Sequence, residues 1–293
     1  MFGGFAARDL DVGGGIRIHA RIGGSGPPVL LLHGYPQMHV CWHKVAPRLA
    51  ERFTVIVADL RGYGASSKPT SAPDHATYSK RAMAADQVEV MRQLGFERFA
   101  VVGHDRGGRV AHRMALDHPG AVAKLSVVDI APTATMYQAT NMAFAQSYYH
   151  WFFLIQPFDF PERLIGADPE YFLRQTLKSW CKTQDAITEQ AFAAYLAAFN
   201  SADAIHATCE DYRAAASIDL EHDAADEAAG NRITAPVNVT WGARGTIGKQ
   251  FDALATWKAK SASKVEGCAL DCGHFVPEED PEGLVQVLER FLE

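Results

Sequence analysis

Short, mostly apolar runs rich in β-forming residues recur along the chain, separated by longer segments that mix apolar and polar positions. The runs lie at residues 29–32, 53–58, 99–102, 125–128, 237–240 and 265–270. Because a strand covered on both faces has no polar side, apolar runs of this length are typical of a parallel sheet. The segments between them, such as residues 78–94 and 106–118, have the length of crossover helices. The pattern predicts an α/β protein with a mostly parallel, doubly wound sheet.

The alternation of strand-like and helix-like segments stops between about residues 132 and 236. This stretch begins with an aromatic cluster at residues 148–153 and becomes alanine-rich with a helical pattern at 189–200, 212–216 and 222–230. Strand-like sequence resumes at residue 237. The simplest interpretation is a helical cap inserted into the sheet domain. We expect a core domain of residues 1–132 and 233–293 and a cap domain of residues 133–232.

The composition is that of an ordinary globular protein, and it excludes several classes of function. The chain has 293 residues, 48% of them apolar and 21% charged, enough for a core without disulfide or metal. A net charge of -6 without a basic run argues against nucleic acid or an anionic membrane as partner. Five scattered cysteines indicate a reducing compartment and form no metal or redox motif. With no signal peptide and no membrane-spanning stretch, we expect a cytoplasmic protein without metal or cofactor.

The candidate chemistry begins at residues 103–109, where a strand-like run leads into Gly-His-Asp-Arg-Gly-Gly-Arg and then into a helix-like run. Strand, Gly-x-acid-x-Gly and helix is the layout of a nucleophile elbow, a strained turn that lifts one side chain clear of the sheet edge. Here that side chain is Asp105. A carboxylate attacks carbon without an activating base and leaves an ester on the enzyme. An aspartate that merely caps the following helix is the plainer alternative, and the surrounding glycines favour the elbow.

Two arginines follow this carboxylate. Arg106 and Arg109 are three positions apart on the first helical turn and therefore share a face. Arginine suits a planar carboxylate, and its positive charge lets an anionic substrate approach the anionic Asp105. The pair predicts a site for a small anionic substrate, with two surface arginines on a helix as the alternative.

Two other strand ends supply the remaining candidate groups. His274 lies on the loop after the last strand, late in the chain, where a base that activates water is expected. The loop at residues 240–246 carries no carboxylate, so Asp129, at the end of the strand before it, is the candidate acid that orients His274. The backbone N–H groups of Tyr35 and Arg106 are candidates for an oxyanion hole. Each candidate also has a plainer alternative. The residues around Tyr35 could form an ordinary turn, His274 could be a surface-loop histidine, and Asp129 could make a purely structural hydrogen bond.

These motifs, in this order, resemble the α/β-hydrolase superfamily. With aspartate as nucleophile they resemble its haloalkane dehalogenase and epoxide hydrolase branch, in which tryptophan usually follows the nucleophile. Here Arg106 stands in that place, and residues 103–113 are similar to the fluoroacetate (haloacetate) dehalogenases. The similarity extends across nearly the whole chain and includes residues 33–36, 41–43, 150–151, 211–213 and 271–275.

The resemblance implies an α/β-hydrolase fold and an enzyme that hydrolyses haloacetates to glycolate and halide. Asp105 would attack the carbon that bears the halogen, while Arg106 and Arg109 hold the substrate carboxylate. His274, held by Asp129, would then activate water to hydrolyse the aspartyl ester. The resemblance also implies a homodimer.

The resemblance assigns three residues of the cap to the departing halide. These are His150, Trp151 and Tyr212. Their imidazole, indole and phenol groups are donors of the kind that stabilise developing negative charge. An aromatic cap core is the alternative for His150 and Trp151, and Trp180 is a further candidate for the cap lining.

The sequence leaves three other functions open. An epoxide hydrolase would use the same Asp and His, with cap tyrosines to protonate the opening ring, but a neutral epoxide gives no reason for two arginines. A dehalogenase active on chloroacetate and poor with fluoroacetate is a close variant, because pocket size decides between the halides. A non-catalytic binder of small carboxylates is the alternative from a different class.

Overall fold

One eight-stranded sheet organises the chain, and the computed structural model describes residues 1–293. The strands are β1 (Ala6–Asp11), β2 (Arg17–Gly23), β3 (Pro28–Leu32), β4 (Thr54–Ala58), β5 (Phe99–His104), β6 (Val122–Val128), β7 (Val237–Gly242) and β8 (Val265–Leu270). Their order across the sheet is β1-β2-β4-β3-β5-β6-β7-β8. The pairs from β4 to β8 are parallel, and β1 and β2 extend one edge as an antiparallel pair.

The middle of the sheet explains why the predicted strands lack an alternating pattern. Every residue of β5 is buried, as are the last four residues of both β3 and β4. Helices cover both faces of these strands, so neither face needs polar side chains. The predicted α/β class and mostly parallel sheet are confirmed.

The antiparallel pair β1 and β2 is the part of the sheet that the apolar runs do not predict. All residues of β1 except Leu10 are exposed, and the strand carries Arg8 and Asp9 among its outer positions. An edge strand with one face in water needs no apolar run, and charged side chains there oppose pairing with another sheet edge.

Fifteen helices surround the sheet. Three of them precede β6, namely α1 (Ala46–Leu49), α2 (Lys80–Gln93) and α3 (Arg106–Asp117). Eight lie between β6 and β7, namely α4 (Thr133–Gln138), α5 (Met142–Ser147), α6 (Tyr149–Phe153), α7 (Phe160–Ala167), α8 (Pro169–Trp180), α9 (Glu189–Phe199), α10 (Ala202–Ala215) and α11 (Ile218–Ala229). Four follow β7, namely α12 (Thr246–Gln250), α13 (Ala253–Lys258), α14 (Val276–Glu279) and α15 (Pro281–Leu292).

The eight helices from α4 to α11 occupy the stretch in which the sequence predicts a cap. Ion pairs tie them to the core helices: Arg113 of α3 pairs with Asp223 of α11 at 2.9 Å and also with Asp226. We propose residues 133–232 as the cap and residues 1–132 and 233–293 as the core. This arrangement leaves the carboxyl ends of the central strands facing the cap, which is where ligands bind in open α/β sheets.

Candidate active site

A sharp turn between β5 and α3 carries Asp105. Its φ of 46° and ψ of -114° are strained for a residue with a side chain. A Cβ on Gly103 would lie 2.3 Å from the carbonyl oxygen of Gly107, and one on Gly107 would lie 2.5 Å from that of His33. Only glycine fits at these two positions. The side chain of Asp105 accepts no hydrogen bond from the first turn of α3, so helix capping does not explain the carboxylate.

The Asp105 carboxylate is buried and held on one side. Its Oδ1 accepts a hydrogen bond of 2.8 Å from the backbone N–H of Tyr35, the expected oxyanion donor after β3. Burial by itself raises the pKa of Asp105, but the charges of His274, His104 and the two nearby arginines hold it below its ordinary value. The carboxylate is therefore ionised at neutral pH, as a nucleophile must be.

His274 faces this carboxylate and is oriented by Asp129. Its Nδ1 lies 2.6 Å from Oδ2 of Asp129, while its Nε2 lies 4.0 Å from Oδ2 of Asp105. The second oxygen of Asp129 accepts a hydrogen bond of 2.9 Å from the backbone N–H of Gly242. Burial lowers the pKa of His274, yet the hydrogen bond and charge of Asp129 raise it above its ordinary value. The structure thus brings the nucleophile, base and acid candidates into one chain of contacts.

Arg106 is fully buried, and most of its guanidinium is already occupied. Its Nε and Nη2 donate to the two carboxylate oxygens of Asp211, each at 2.8 Å. Nη1 has no hydrogen-bond partner in the protein. Arg106 therefore makes its bidentate hydrogen bond to Asp211 and not to a substrate. Only Nη1 remains free to donate to a substrate carboxylate.

Asp211 is a site residue to which the sequence analysis assigned no role, although residues 211–213 belong to the family resemblance. It also accepts from Lys80 and, at 2.6 Å, from the hydroxyl of Tyr63. Burial raises the pKa of Asp211, but the charges of Arg106 and Lys80 hold it far below its ordinary value. A buried charge that loses its partner costs about 3–5 kcal/mol, so Arg106 stays fixed on Asp211. The two residues are 105 positions apart, and no local pattern links them.

Arg109 is buried without any salt bridge to a carboxylate. Its Nη1 donates to the hydroxyl of Thr133 at 2.8 Å and to the carbonyl of Ala131 at 3.2 Å, while its Nε has no protein partner. The guanidinium lies over the ring of Trp151 at 4.7 Å. Burial and the charge of Arg106 lower the pKa of Arg109. A buried cation in this state is stabilised by an anionic ligand.

The three cap residues that the resemblance assigned to the halide line the same region. Nδ1 of His150, Nε1 of Trp151 and Oη of Tyr212 are all buried and have no hydrogen-bond partner in the protein. The Tyr212 ring lies under the Arg106 guanidinium at 4.2 Å and 5.6 Å from the His150 ring. Burial lowers the pKa of His150 far below its ordinary value, so its imidazole is neutral.

Trp180 joins these cap residues to the base. Its ring centroid lies 4.3 Å from that of His150 and 5.5 Å from that of His274. A cavity of about 280 Å³ reaches this place from the surface, lined by Tyr148, Trp180 and His274 among others. Lys182, Arg244 and Lys249 also line it, and no acidic residue does. The approach to His274 is therefore positively charged, although the whole chain is negative.

Comparisons with known proteins agree with this architecture. The family model described as "alpha/beta hydrolase fold" matches residues 27–281. A fluoroacetate dehalogenase from Burkholderia sp. is 46% identical over all of this chain and 95% of its own length. A soluble epoxide hydrolase from Corynebacterium sp. is 34% identical over 94% of both chains. A solved structure from Nostoc sp. PCC 7120, assigned to the α/β hydrolases, has a TM-score of 0.97 and 56% identity, covering 100% of this chain and 99% of its own.

Fold and comparisons together define a hydrolase of the α/β type. Within that superfamily, the chain belongs to the haloacetate dehalogenase family. Relatives with epoxide hydrolase names occur beside it, so family membership alone leaves the substrate open. None of the helices combines the length and the apolar character that crossing a membrane requires.

Proposed function

We propose that the protein hydrolyses haloacetates, including fluoroacetate and chloroacetate, to glycolate and halide through an ester on Asp105. The observation that carries this proposal is a group of buried donors without protein acceptors. They are Nη1 of Arg106, Nε of Arg109, Nε1 of Trp151 and Oη of Tyr212, together with Nδ1 of His150 in the tautomer that carries the proton there. Buried donors are rarely left unpaired in native proteins, so their clustering supports a ligand that accepts from all of them. A carboxylate with an adjacent carbon–halogen bond has such acceptors at both ends.

The first step forms the ester. Oδ2 of Asp105 attacks the carbon that bears the halogen, and the carbon–halogen bond breaks with its electron pair leaving on the halide. Oδ1 stays on the Tyr35 N–H, which orients the attack. Arg109 and the free Nη1 of Arg106 hold the substrate carboxylate. The donors of the cap stabilise the negative charge that grows on the halogen, which matters most for fluoride, a poor leaving group.

The second step releases glycolate. Nε2 of His274 takes a proton from water, and the resulting hydroxide attacks Cγ of the Asp105 ester. The backbone N–H groups of Tyr35 and Arg106 stabilise the oxyanion that forms on Cγ. The bond between Cγ of Asp105 and the glycolate oxygen then breaks, and the proton on His274 passes to that leaving oxygen. The new carboxyl group of Asp105 loses its proton to solvent, and the enzyme returns to its starting state.

The proposal is tested by incubating the purified protein with fluoroacetate and chloroacetate and measuring halide and glycolate together. We expect equal amounts of halide and glycolate from both acids. Chloroacetamide is the matched control, because it has the same carbon–halogen bond without the carboxylate, and we expect little turnover of it. Chloride without fluoride would remove fluoroacetate from the proposal. If the folded protein released no halide from either acid, the proposed function would be wrong. Epoxide hydrolysis would then be tested next, followed by non-catalytic binding of small carboxylates.

Epoxide hydrolysis is the second candidate, favoured by the 34% identical Corynebacterium relative and by the buried Tyr212 hydroxyl, which an epoxide oxygen also accepts from. The state of Arg109 counts against it. A neutral epoxide leaves that buried cation without a counter-charge, whereas a haloacetate supplies one.

Removing the Tyr212 hydroxyl is expected to impair fluoroacetate more than chloroacetate. Tyr212→Phe keeps the ring under Arg106 and deletes one donor to the halide. A hydrogen bond to a charged group contributes about 1.5–3 kcal/mol, so we expect a loss of roughly 10- to 100-fold in kcat/KM for fluoroacetate. The loss for chloroacetate is expected to be several times smaller, because chloride spreads its charge over a larger ion. Steady-state halide release measures both.

Tyr171→Phe is the control for that substitution, since Tyr171 is 64% exposed on the surface of α8. It should leave both rates unchanged. Equal losses on the two substrates in Tyr212→Phe would contradict a role at the halide and indicate a role in packing around Arg106.

A further inference from the structure

A buried carboxylate next to the site has no part in the proposed reaction. Glu279 is the last residue of α14 and is only 8% exposed. Its Oε2 accepts from the backbone N–H groups of Gly273 and Lys182, both at 2.8 Å, and its Oε1 accepts from that of Phe275 at 2.9 Å. One carboxylate thus holds the residues on either side of His274 and also a residue of the cap.

The N–H group of His274 itself completes the arrangement. It donates to the carbonyl oxygen of Trp180 at 3.2 Å. Three successive backbone donors at residues 273–275 are therefore fixed by Glu279 and by the end of α8. A Cβ on Gly273 would lie 2.6 Å from the Trp180 oxygen and 2.7 Å from Oε1 of Glu279, so the loop and its two anchors are in direct contact.

We propose that Glu279 is a positioning residue that fixes His274 to the cap segment of residues 180–182. Through this carboxylate, the base in the core and the Trp180 wall of the cap keep one relative position. The proposal deepens the proposed function and rests on it for the role of His274 as the base that hydrolyses the ester.

The chemistry of the side chain makes Glu279 hard to replace. An ionised carboxylate has only acceptors, so it can accept three N–H groups at once. The amide of glutamine keeps one acceptor oxygen and turns an NH2 group toward backbone donors, which breaks at least one of these bonds. The negative charge of Glu279 also favours the protonated form of His274. A change at Glu279 is therefore expected to alter both the position and the pKa of the base.

The adjacent residue offers a matched control. Glu278 is also buried on the same short helix, but its carboxyl group accepts from Gln37 and lies beside Tyr195 rather than on the His274 loop. Burial raises the pKa of Glu278 to about 8, so this carboxyl group is mostly protonated at neutral pH. Glutamine closely mimics a protonated glutamate, and Glu278→Gln should leave the reaction near the wild-type rate.

The test compares Glu279→Gln with Glu278→Gln by rapid mixing with chloroacetate and by NMR titration of His274 without substrate. In Glu279→Gln we expect halide release of one equivalent per active site, followed by ester hydrolysis slowed roughly 10- to 100-fold, the scale of a misplacement of about 1 Å. We also expect the pKa of His274 to fall. Intact-protein mass spectrometry should show the ester accumulating.

Two results in Glu279→Gln would overturn the proposal. One is that formation and hydrolysis of the ester slow equally, and the other is that the rate of hydrolysis and the pKa of His274 both stay at their wild-type values. If the wild type releases no halide, the proposed function fails, while the NMR titration still decides whether Glu279 acts on His274. Should Glu279→Gln fail to fold, Glu279→Asp serves instead. The shorter side chain of aspartate keeps the negative charge but cannot reach both the His274 loop and the backbone of Lys182. Hydrolysis of the ester should therefore slow, with a smaller change in the pKa of His274.

Discussion

Replacing Asp105 by asparagine is expected to abolish halide release, lowering kcat for chloroacetate by at least about 10⁴-fold. The amide has nearly the shape of the carboxylate, so the strained turn and the contact with Tyr35 have little reason to change. It lacks the anionic oxygen that displaces halide. Halide release under saturating chloroacetate measures the effect, and a calorimetric titration shows whether Asp105→Asn still binds the substrate.

A single turnover of the wild type in ¹⁸O-labelled water complements that variant. Because water attacks Cγ of the ester, the first glycolate should carry an unlabelled hydroxyl oxygen that came from Asp105. Labelled glycolate in the first turnover would mean that water attacks the substrate directly. Undiminished turnover in Asp105→Asn would exclude the carboxylate as nucleophile.

Replacing His274 by glutamine is expected to stop the reaction after the first step. The enzyme should release one halide per active site and then retain a carboxymethyl ester on Asp105, with steady-state turnover lowered by about 10³-fold. The reason is that the ester forms without a base, whereas its hydrolysis needs one. Quench-flow measurement of halide, with peptide mass spectrometry to locate the ester, checks the result.

The pH dependence of the wild type follows from the same assignment. His274 accepts a proton only when neutral, so hydrolysis of the ester should slow as pH falls through the pKa of His274, which Asp129 holds above its ordinary value. Ester formation should persist to lower pH, because the pKa of Asp105 is held below its ordinary value. Asp129→Asn should move the acidic limb of kcat to lower pH. Full steady-state turnover in the His274→Gln variant would contradict the role of His274 as the base that activates water.

The sequence by itself determined the class of fold and the elements that present the candidate groups. Apolar runs identify the central strands because those strands are buried on both faces. The elbow is recognisable because Gly103 and Gly107 have no room for a side chain. This steric requirement is met by glycines within a few residues of Asp105, so it is visible in the local sequence. Asp105 and Asp129 could be singled out because each directly follows a strand, and His274 because it lies on the loop after the last strand.

Only the tertiary structure decided how the charges are partnered. Asp211 accepts both hydrogen bonds of the Arg106 fork although it lies 105 residues away, and Glu279 of α14 accepts from the backbone of Lys182 in the cap. Such contacts depend on where the cap lies over the core, and neither strand nor helix periodicity encodes that placement. The edge strand β1 escaped prediction for a related reason, since a strand exposed to water needs no apolar pattern. Local sequence carries steric and burial requirements, whereas the pairing of buried charges is settled by the assembled fold.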